Sequence, residues 1–558
     1  MPTLEWIGKD KVINHHQDVP FRVLERKYSY DENGQHDEDN GSENMIIRGD
    51  NLEALKALLP KYEGRINCVY IDPPYNTGNK KDKKWVYSDN VDDPRIAKWI
   101  GQVVGSEGED LARHDKWLCM MYPRLKLLWK LLSNDGFIAI SIDNIEVFNL
   151  KAICDEIFGA NNFITEIACI NNPKGRSDDK YVATAHEHIL FYKKDVVVFG
   201  EFEPEEKVTK RYREIDENGD KFRVIDLRKT GDEDLRSDRE DMFYPFFYNE
   251  TTGELRVGDN SDETPEGFMR ILPMKTATIE GRWRWGKGEK SMQEGFHKLI
   301  ARYMPTKNKW TIFEKDYLRD KEGVKPTTVW AYKDVNSERG TEQFISLGFD
   351  KTDFPNPKPI GTIQRVLKML DNPNAIILDS FAGSGTTAHA ILDMNQSTRS
   401  HQKFILVEMM DYAESITAER VKRVINGYGE GNRAVEGTGG NFSFYDLGDT
   451  LLLPDGNLNE EVGESKIREY IWYTETKESI SDAGATDEPY CLGTSRDTAY
   501  YFYYKKDEIT TLDYDFLLTV KTKAAGYIIY ADLCTISNEE LKKWNITFKK
   551  IPRDIARV

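Results

Sequence analysis

The sequence has no apolar run approaching the roughly 18 residues that a bilayer crossing needs. Its opening MPTLEWIGKD has neither the basic nor the apolar segment of a secretion signal. A membrane protein is therefore not expected, and the cytoplasm is the expected location. Cysteine is scarce. Cys68, Cys119, Cys154, Cys169, Cys491 and Cys534 are scattered, without a C-x-x-C pair or a Cys/His spacing suited to zinc, so neither a disulfide framework nor a structural metal is expected. Positive charge is in deficit as well. The 77 Lys and Arg stand against 95 Asp and Glu, a net charge of −18, which argues against a chain that coats nucleic acid nonspecifically.

What is present is the composition of a soluble, multi-domain enzyme: 558 residues, 39% hydrophobic and 31% charged, beyond the size at which one core stops growing. Charge is distributed unevenly. The stretch Asp31 to Glu43 holds six acids and no Lys or Arg, and reads as a solvated loop. Gly281 to Trp310 carries eight Lys or Arg against two Glu, with aromatics interleaved, and reads as a surface for a phosphate backbone.

Apolar periodicity predicts a strand from Met45, a helix with Leu52, Leu55, Leu58 and Leu59 on one face, and a strand Ile66 to Ile71. A helix around Trp117 to Leu132 follows, capped by Asn134-Asp135-Gly136, then a strand Phe137 to Ile142. This β-α-β alternation points to an α/β, Rossmann-like, doubly wound and mostly parallel sheet. The rhythm breaks between 196 and 345, which reads as an inserted domain. It resumes over 346–430, and the remainder, 431–558, reads as a small α+β C-terminal domain with an acidic segment. Residues 1–44 read as an N-terminal extension, and 45–195 as the first half of the α/β domain.

Two constellations carry chemistry. In Ile376-Ile-Leu-Asp-Ser-Phe-Ala-Gly-Ser-Gly-Thr-Thr387 a strand feeds a glycine-rich turn at a helix N-terminus, and Glu408 ends the next strand about 20 residues on, placed to accept hydrogen bonds from ribose hydroxyls. A turn serving only chain reversal is the alternative. No P-loop is present here, because Thr386 and Thr387 follow Gly385, and Gly281 to Lys287 fails the same pattern because Gly288 stands where a hydroxyl is needed. The second constellation is Asp72-Pro-Pro-Tyr75 at a strand's C-terminal end, the edge at which open parallel sheets bind ligands. Two prolines fix the backbone and remove donors, leaving a carboxylate and carbonyls to accept from an amino group, with Tyr75 supplying an aromatic face. His186-Glu187-His188 supplies only two imidazoles and reads better as a hydrogen-bonded strand edge than as a metal site.

Gly49-Asp-Asn-Leu-Glu-Ala-Leu55, Tyr70-Ile-Asp-Pro-Pro-Tyr-Asn-Thr-Gly78, Asn356-Pro-Lys-Pro359 and Asp379-Ser-Phe-Ala-Gly-Ser-Gly-Thr-Thr387, in this order, resemble β-class amino-methyltransferases, and specifically the Mod subunit of type III restriction-modification systems. The resemblance implies a sequence-specific DNA methyltransferase that transfers a methyl group from S-adenosyl-L-methionine to N6 of a flipped-out adenine, in a phage-defence setting. It assigns the target-base site to Asp72, Pro73, Pro74 and Tyr75. Cofactor contacts fall on Asp50, Lys358, Pro359, Asp379, Phe381, Gly383, Gly385, Thr386 and Glu408, and no metal is needed because a sulfonium already activates its methyl group. DNA contacts are expected at Arg282, Arg284 and Lys287 in a target-recognition domain at 196–345. The partners implied are double-stranded DNA, a second copy of the chain in a homodimer assembled through 431–558, and an ATP-driven Res subunit. A solitary or other phage-defence methyltransferase, and a catalytically silent DNA-specificity subunit, are the rival readings.

Overall fold

The computed structural model describes residues 3–76, 98, 101, 113–176, 179–197, 199–200, 202, 209–321, 325–483 and 487–553. Thr77 and Gly78 of the Tyr70 to Gly78 motif lie outside the described residues. The chain forms two compact units, Met1–Gly200 with Thr327–Val558, and Glu201–Pro326.

The first unit is organised by one large sheet. Its strands are β1 (Arg22–Asp31), β2 (Gly34–His36), β3 (Met45–Arg48), β4 (Ile66–Ile71), β5 (Leu132–Ile142), β6 (Phe163–Cys169), β7 (Glu187–Lys193), β8 (Val329–Trp330), β9 (Ile376–Asp379), β10 (Lys403–Glu408) and β11 (Phe442–Thr450). They lie in the order β8-β6-β7-β5-β4-β9-β10-β3-β11-β1-β2. The centre, β5-β4-β9-β10-β3, is parallel, and its strands are almost wholly apolar because both faces are covered. Strand β7 runs antiparallel to β5 and β6, and β1 runs antiparallel to β11 and β2.

This topology gathers the candidate residues at one edge. The C-terminal ends of β4, β9, β10 and β3 deliver Asp72, Asp379, Glu408 and Asp50 respectively. Because β7 is reversed, its first residue, Glu187, arrives at the same edge, just beyond the Ile142–His188 pair. Helix Asn51–Tyr62 buries Leu52, Leu55, Leu58 and Leu59 as its periodicity requires, and Asp50 caps it by accepting from the Leu52 and Glu53 amides at 2.9 and 3.3 Å.

Several expectations shift. Asn134-Asp135-Gly136 does not cap a helix but continues β5, with an irregularity in its register against β4 between Ile66 and Cys68; a Cβ on Gly136 would come within 2.8 Å of the Asn67 carbonyl. The acidic stretch after Asp31 turns back as β2. The inserted unit ends at Pro326, short of 345: Val329–Trp330 pairs with β6, and helix Ser337–Ser346 follows in the first unit. Residues beyond 430 are not separated from the first unit, since β11 pairs with β3 and β1 inside the main sheet. A four-stranded sheet (Cys491–Ser495, Thr498–Phe502, Gly526–Ala531, Ile546–Lys550) follows, with Tyr501 and Phe502 buried in it.

The second unit is built on an antiparallel sheet that includes Lys221–Asp226, Leu299–Met304 and Lys309–Tyr317. Its core is Leu227, Tyr244, Phe246, Ile271, Trp283, Met292, Leu299 and Ile312. The basic and aromatic window thus supplies much of this core.

Candidate active site

The two prolines end β4 and turn the chain out at the sheet edge, where the Trp117 indole donates to the Pro74 carbonyl at 2.7 Å and pins the loop. The next residue, Asn76, takes a left-handed conformation (φ 58°) and donates to the fully buried Glu146, which also accepts from His114 at 2.7 Å and Asn149 at 2.8 Å. The Asp72–Tyr75 loop is therefore braced on both sides.

Lys358 reaches this loop from Asn356-Pro-Lys-Pro359. That segment passes so close to helix Ser337–Ser346 that a Cβ on Gly340 would collide with the Pro357 carbonyl. Lys358 Nζ lies 3.3 Å from Asp72 Oδ1 and 2.6 Å from Glu187 Oε2, and it also donates to the Tyr75 hydroxyl. The Tyr75 hydroxyl in turn donates to Glu187 Oε2 at 3.0 Å. Two carboxylates, one ammonium and one phenol from three distant segments thus form a single cluster, with Glu187 buried and Asp72, Tyr75 and Lys358 half-buried. Burial pushes the Asp72 carboxyl up to about 6, with the Lys358 ammonium opposing the rise and the Glu187 carboxylate adding to it. Burial alone would pull the Lys358 ammonium down, but the Asp72 and Glu187 carboxylates outweigh it and hold it above its ordinary value. The Tyr75 phenol is raised well above 10.0 by burial and by the same two carboxylates.

The glycine turn lies beside this cluster. Asp379 accepts from the Phe381 amide at 3.0 Å and from the Thr387 hydroxyl at 2.5 Å. Glu408 accepts from the Gly383 amide at 2.8 Å and the Met410 amide at 3.0 Å. Burial pushes both carboxyls up to about 7, against these hydrogen bonds. Gly383 and Gly385 have φ of 51° and 78°; a Cβ would come within 3.2 Å of the Phe354 ring on the first and 2.9 Å of the Thr417 carbonyl on the second. The Thr386 hydroxyl contacts the Lys358 carbonyl at 3.3 Å and accepts from buried Arg420 at 2.8 Å, tying the turn to the lysine segment. Pro359 precedes helix Ile360–Leu367 as its N-cap. Besides capping its own helix, Asp50 accepts from buried Arg124 at 3.2 Å, and Asn51 donates to the Ser380 carbonyl at 3.3 Å.

The residues expected at Asp72, Tyr75, Lys358, Asp379, Gly383, Gly385, Thr386 and Glu408 thus meet at one edge. Glu187 joins them. The sequence reads His186-Glu187-His188 as a hydrogen-bonded strand edge near the base pocket without giving Glu187 a role; the structure opens the apolar strand Glu187–Lys193 with it and bonds it to Tyr75 and Lys358. In the second unit the structure places Arg282 inside: it is 6% exposed and donates to the Glu233 carbonyl at 2.5 Å. Arg284 pairs with Glu314 at 2.6 Å, and the half-exposed Lys287 pairs with Asp259 at 2.5 Å. Arg282 therefore holds its unit together and is not presented as a surface contact.

Comparison with known proteins agrees with this geometry. A family described as DNA methylase matches residues 66–419. The chain is 35% identical over 364 residues to the type II methyltransferase M.KpnI of Klebsiella pneumoniae, covering 65% of this chain and 80% of that protein. It is 31% identical over 448 residues to the type III restriction-modification enzyme EcoPI Mod subunit of Escherichia phage P1, covering 78% of this chain and 66% of that one. The StyLTI Mod subunit of Salmonella typhimurium is 30% identical over 382 residues, 66% of this chain and 53% of that one. The chain spans between about half and two thirds of these two Mod subunits' length.

Proposed function

This chain belongs to the DNA methylase family, and from that premise we propose that it transfers a methyl group from S-adenosylmethionine to N6 of adenine in a specific sequence of double-stranded DNA. The observation that carries the reading is the convergence of Asp72 with Lys358 at the same sheet edge as the Asp379–Glu408 turn.

The donor set fits the cofactor. Ribose hydroxyls are donors and the sulfonium is a cation, and the turn offers two buried carboxylates to them. The buried Ser380 hydroxyl has no hydrogen-bond partner among the described residues, which suits a site completed by a ligand. Glu408 and Asp379 would hold the nucleoside end, and Lys358 the carboxylate of the methionine end. When bound, the cofactor supplies an electrophilic methyl group.

The chain's own residues do the remaining work. An exocyclic amine is a poor nucleophile because its lone pair is delocalised into the ring. Asp72 and the Pro73 carbonyl would accept hydrogen bonds from its two N–H groups, favouring a pyramidal nitrogen; the Asp72 carboxylate would stabilise the positive charge that develops on the nitrogen as it takes the methyl group and accept the one proton the nitrogen loses. Tyr75, its hydroxyl tethered to Glu187, presents its ring for stacking on a base taken out of the duplex.

Purified full-length protein incubated with DNA and cofactor is expected to yield N6-methyladenine by nucleoside mass spectrometry. N4-methylcytosine as the sole product overturns the substrate. The two Mod relatives support a type III setting, in which the chain dimerises and joins a Res subunit that supplies ATP hydrolysis and cleavage. The 80% coverage of M.KpnI favours a second reading, a methyltransferase acting alone. Light scattering decides in part: a dimer supports the first reading and a monomer the second.

A further inference from the structure

Lys358 carries one positive charge and faces two carboxylates. It lies closer to Glu187 (2.6 Å) than to Asp72 (3.3 Å), and the Tyr75 hydroxyl binds Glu187 from the other side. Glu187 is 3% exposed, and the strand that supplies it is the one reversed strand beside β5. Nothing in the packing of a sheet edge requires an acid there. An isolated buried carboxylate at this position would be costly, so its retention with Lys358 and Tyr75 marks a built arrangement.

We propose that Glu187 is a positioning residue: it takes the larger share of the Lys358 ammonium, so that Lys358 does not close onto Asp72 and the Asp72 carboxylate stays available to the target amino group. The inference rests on the reading of Asp72 as the acceptor. With Glu187 neutral, Asp72 is the one carboxylate of the cluster left to Lys358 beside that of the cofactor, so the existing 3.3 Å contact tightens and the amino group competes more strongly with the ammonium for the same oxygens. The same carboxylate also tunes ionisation. Asp72 is faced by Lys358, Glu187 and Tyr75, with Tyr70 on β4 and Asp379 on β9 next in line. Removing the Glu187 charge and tightening Lys358 both make Asp72 easier to ionise.

The test uses the full-length protein as wild type, Glu187→Gln, Lys358→Met and the double variant, with methyl transfer measured between pH 5 and 9 and cofactor affinity by calorimetry. Glu187→Gln is expected to lower kcat by about ten- to a hundredfold, to move the acid limb of the kcat profile to lower pH, and to leave cofactor affinity within about threefold. Added to Lys358→Met, it is expected to change kcat by less than about twofold on the plateau above the acid limb, because a residue acting through another has little effect once that other is gone, while the direct effect of its charge on Asp72 still shows as a shift of that limb. Glu187→Asp, which keeps the charge, is expected to leave the acid limb in place and so serves if the Gln variant does not fold. Equal losses in both backgrounds, or an acid limb that Glu187→Gln leaves unmoved, overturn the proposal. Retained turnover in Asp72→Ala strikes instead at the parent reading, which separates the two failures.

Discussion

The Gly383 amide donates to Glu408 Oε2 at 2.8 Å, so the tip of the glycine turn is held by the acid that closes the neighbouring strand. Glu408 therefore shapes the turn in addition to its proposed role as a ribose acceptor. Glu408→Gln replaces a charge-assisted acceptor and is expected to weaken cofactor affinity by roughly ten- to a hundredfold, the range of a hydrogen bond to a charged group. Calorimetry with S-adenosylmethionine checks this, and unchanged affinity in a folded variant removes Glu408 from the cofactor site.

The two glycines are needed for packing as well as for ligand approach. The sequence suggests that a side chain at Gly383 would intrude on the cofactor, whereas the structure directs its Cβ at the Phe354 ring and that of Gly385 at the Thr417 carbonyl. Gly385→Ala, with φ of 78°, is expected to cost about 1–3 kcal/mol of stability. Gly383→Val is expected to lose stability together with cofactor binding. Urea unfolding beside calorimetry tests both.

Arg282 is expected to behave as a core residue. Arg282→Ala leaves the Glu233 carbonyl without its guanidinium partner and is expected to cost about 1–3 kcal/mol. Lys287→Ala removes an exposed pair with Asp259 and is expected to stay within about 0.5 kcal/mol. A stable Arg282→Ala protein with a shallower salt dependence of DNA binding would return that residue to the DNA surface.

The pH dependence of stability follows from Asp72, Asp379 and Glu408. Their folded values of about 6, 7 and 7 lie above the ordinary 3.8, 3.8 and 4.5. Each raised carboxyl contributes stability that is complete below about pH 4 and is lost as pH rises through about 6 to 7. A bound sulfonium cation offsets this loss, so S-adenosylmethionine is expected to raise the melting temperature more at pH 8 than at pH 5.5. Equal increments contradict the account, and Asp379→Asn is expected to flatten the difference.

Legibility in the sequence followed the range of the interactions. The Asp72–Tyr75 loop, the face of helix Asn51–Tyr62 and the glycine turn are decided by neighbouring residues, and each was readable as a local pattern. Glu187 is readable only as part of a hydrogen-bonded strand edge; its ion pair with Lys358 depends on the reversal of β7 against β5 and β6, which is settled by distant pairing. β11 escaped for the same reason: its membership of the main sheet is settled by pairing with β3 and β1, hundreds of residues away in the chain. The Arg282 window misled because composition reports charge but not burial. The adjacent Arg282 and Trp283 are both buried, Trp283 in the apolar core and Arg282 against the Glu233 carbonyl, so a window that is basic in composition turns inward here.

Asp72 is the residue on which acceptance of the target amino group depends. Full-length Asp72→Ala is to be measured for tritium transfer to DNA and, in parallel, for cofactor binding by calorimetry. The expected result is a loss of methyl transfer of at least about a hundredfold with cofactor affinity within about threefold of wild type, since Asp379 and Glu408 remain in place. Turnover near the wild-type rate in the variant would contradict the assignment of Asp72 to the target amino group.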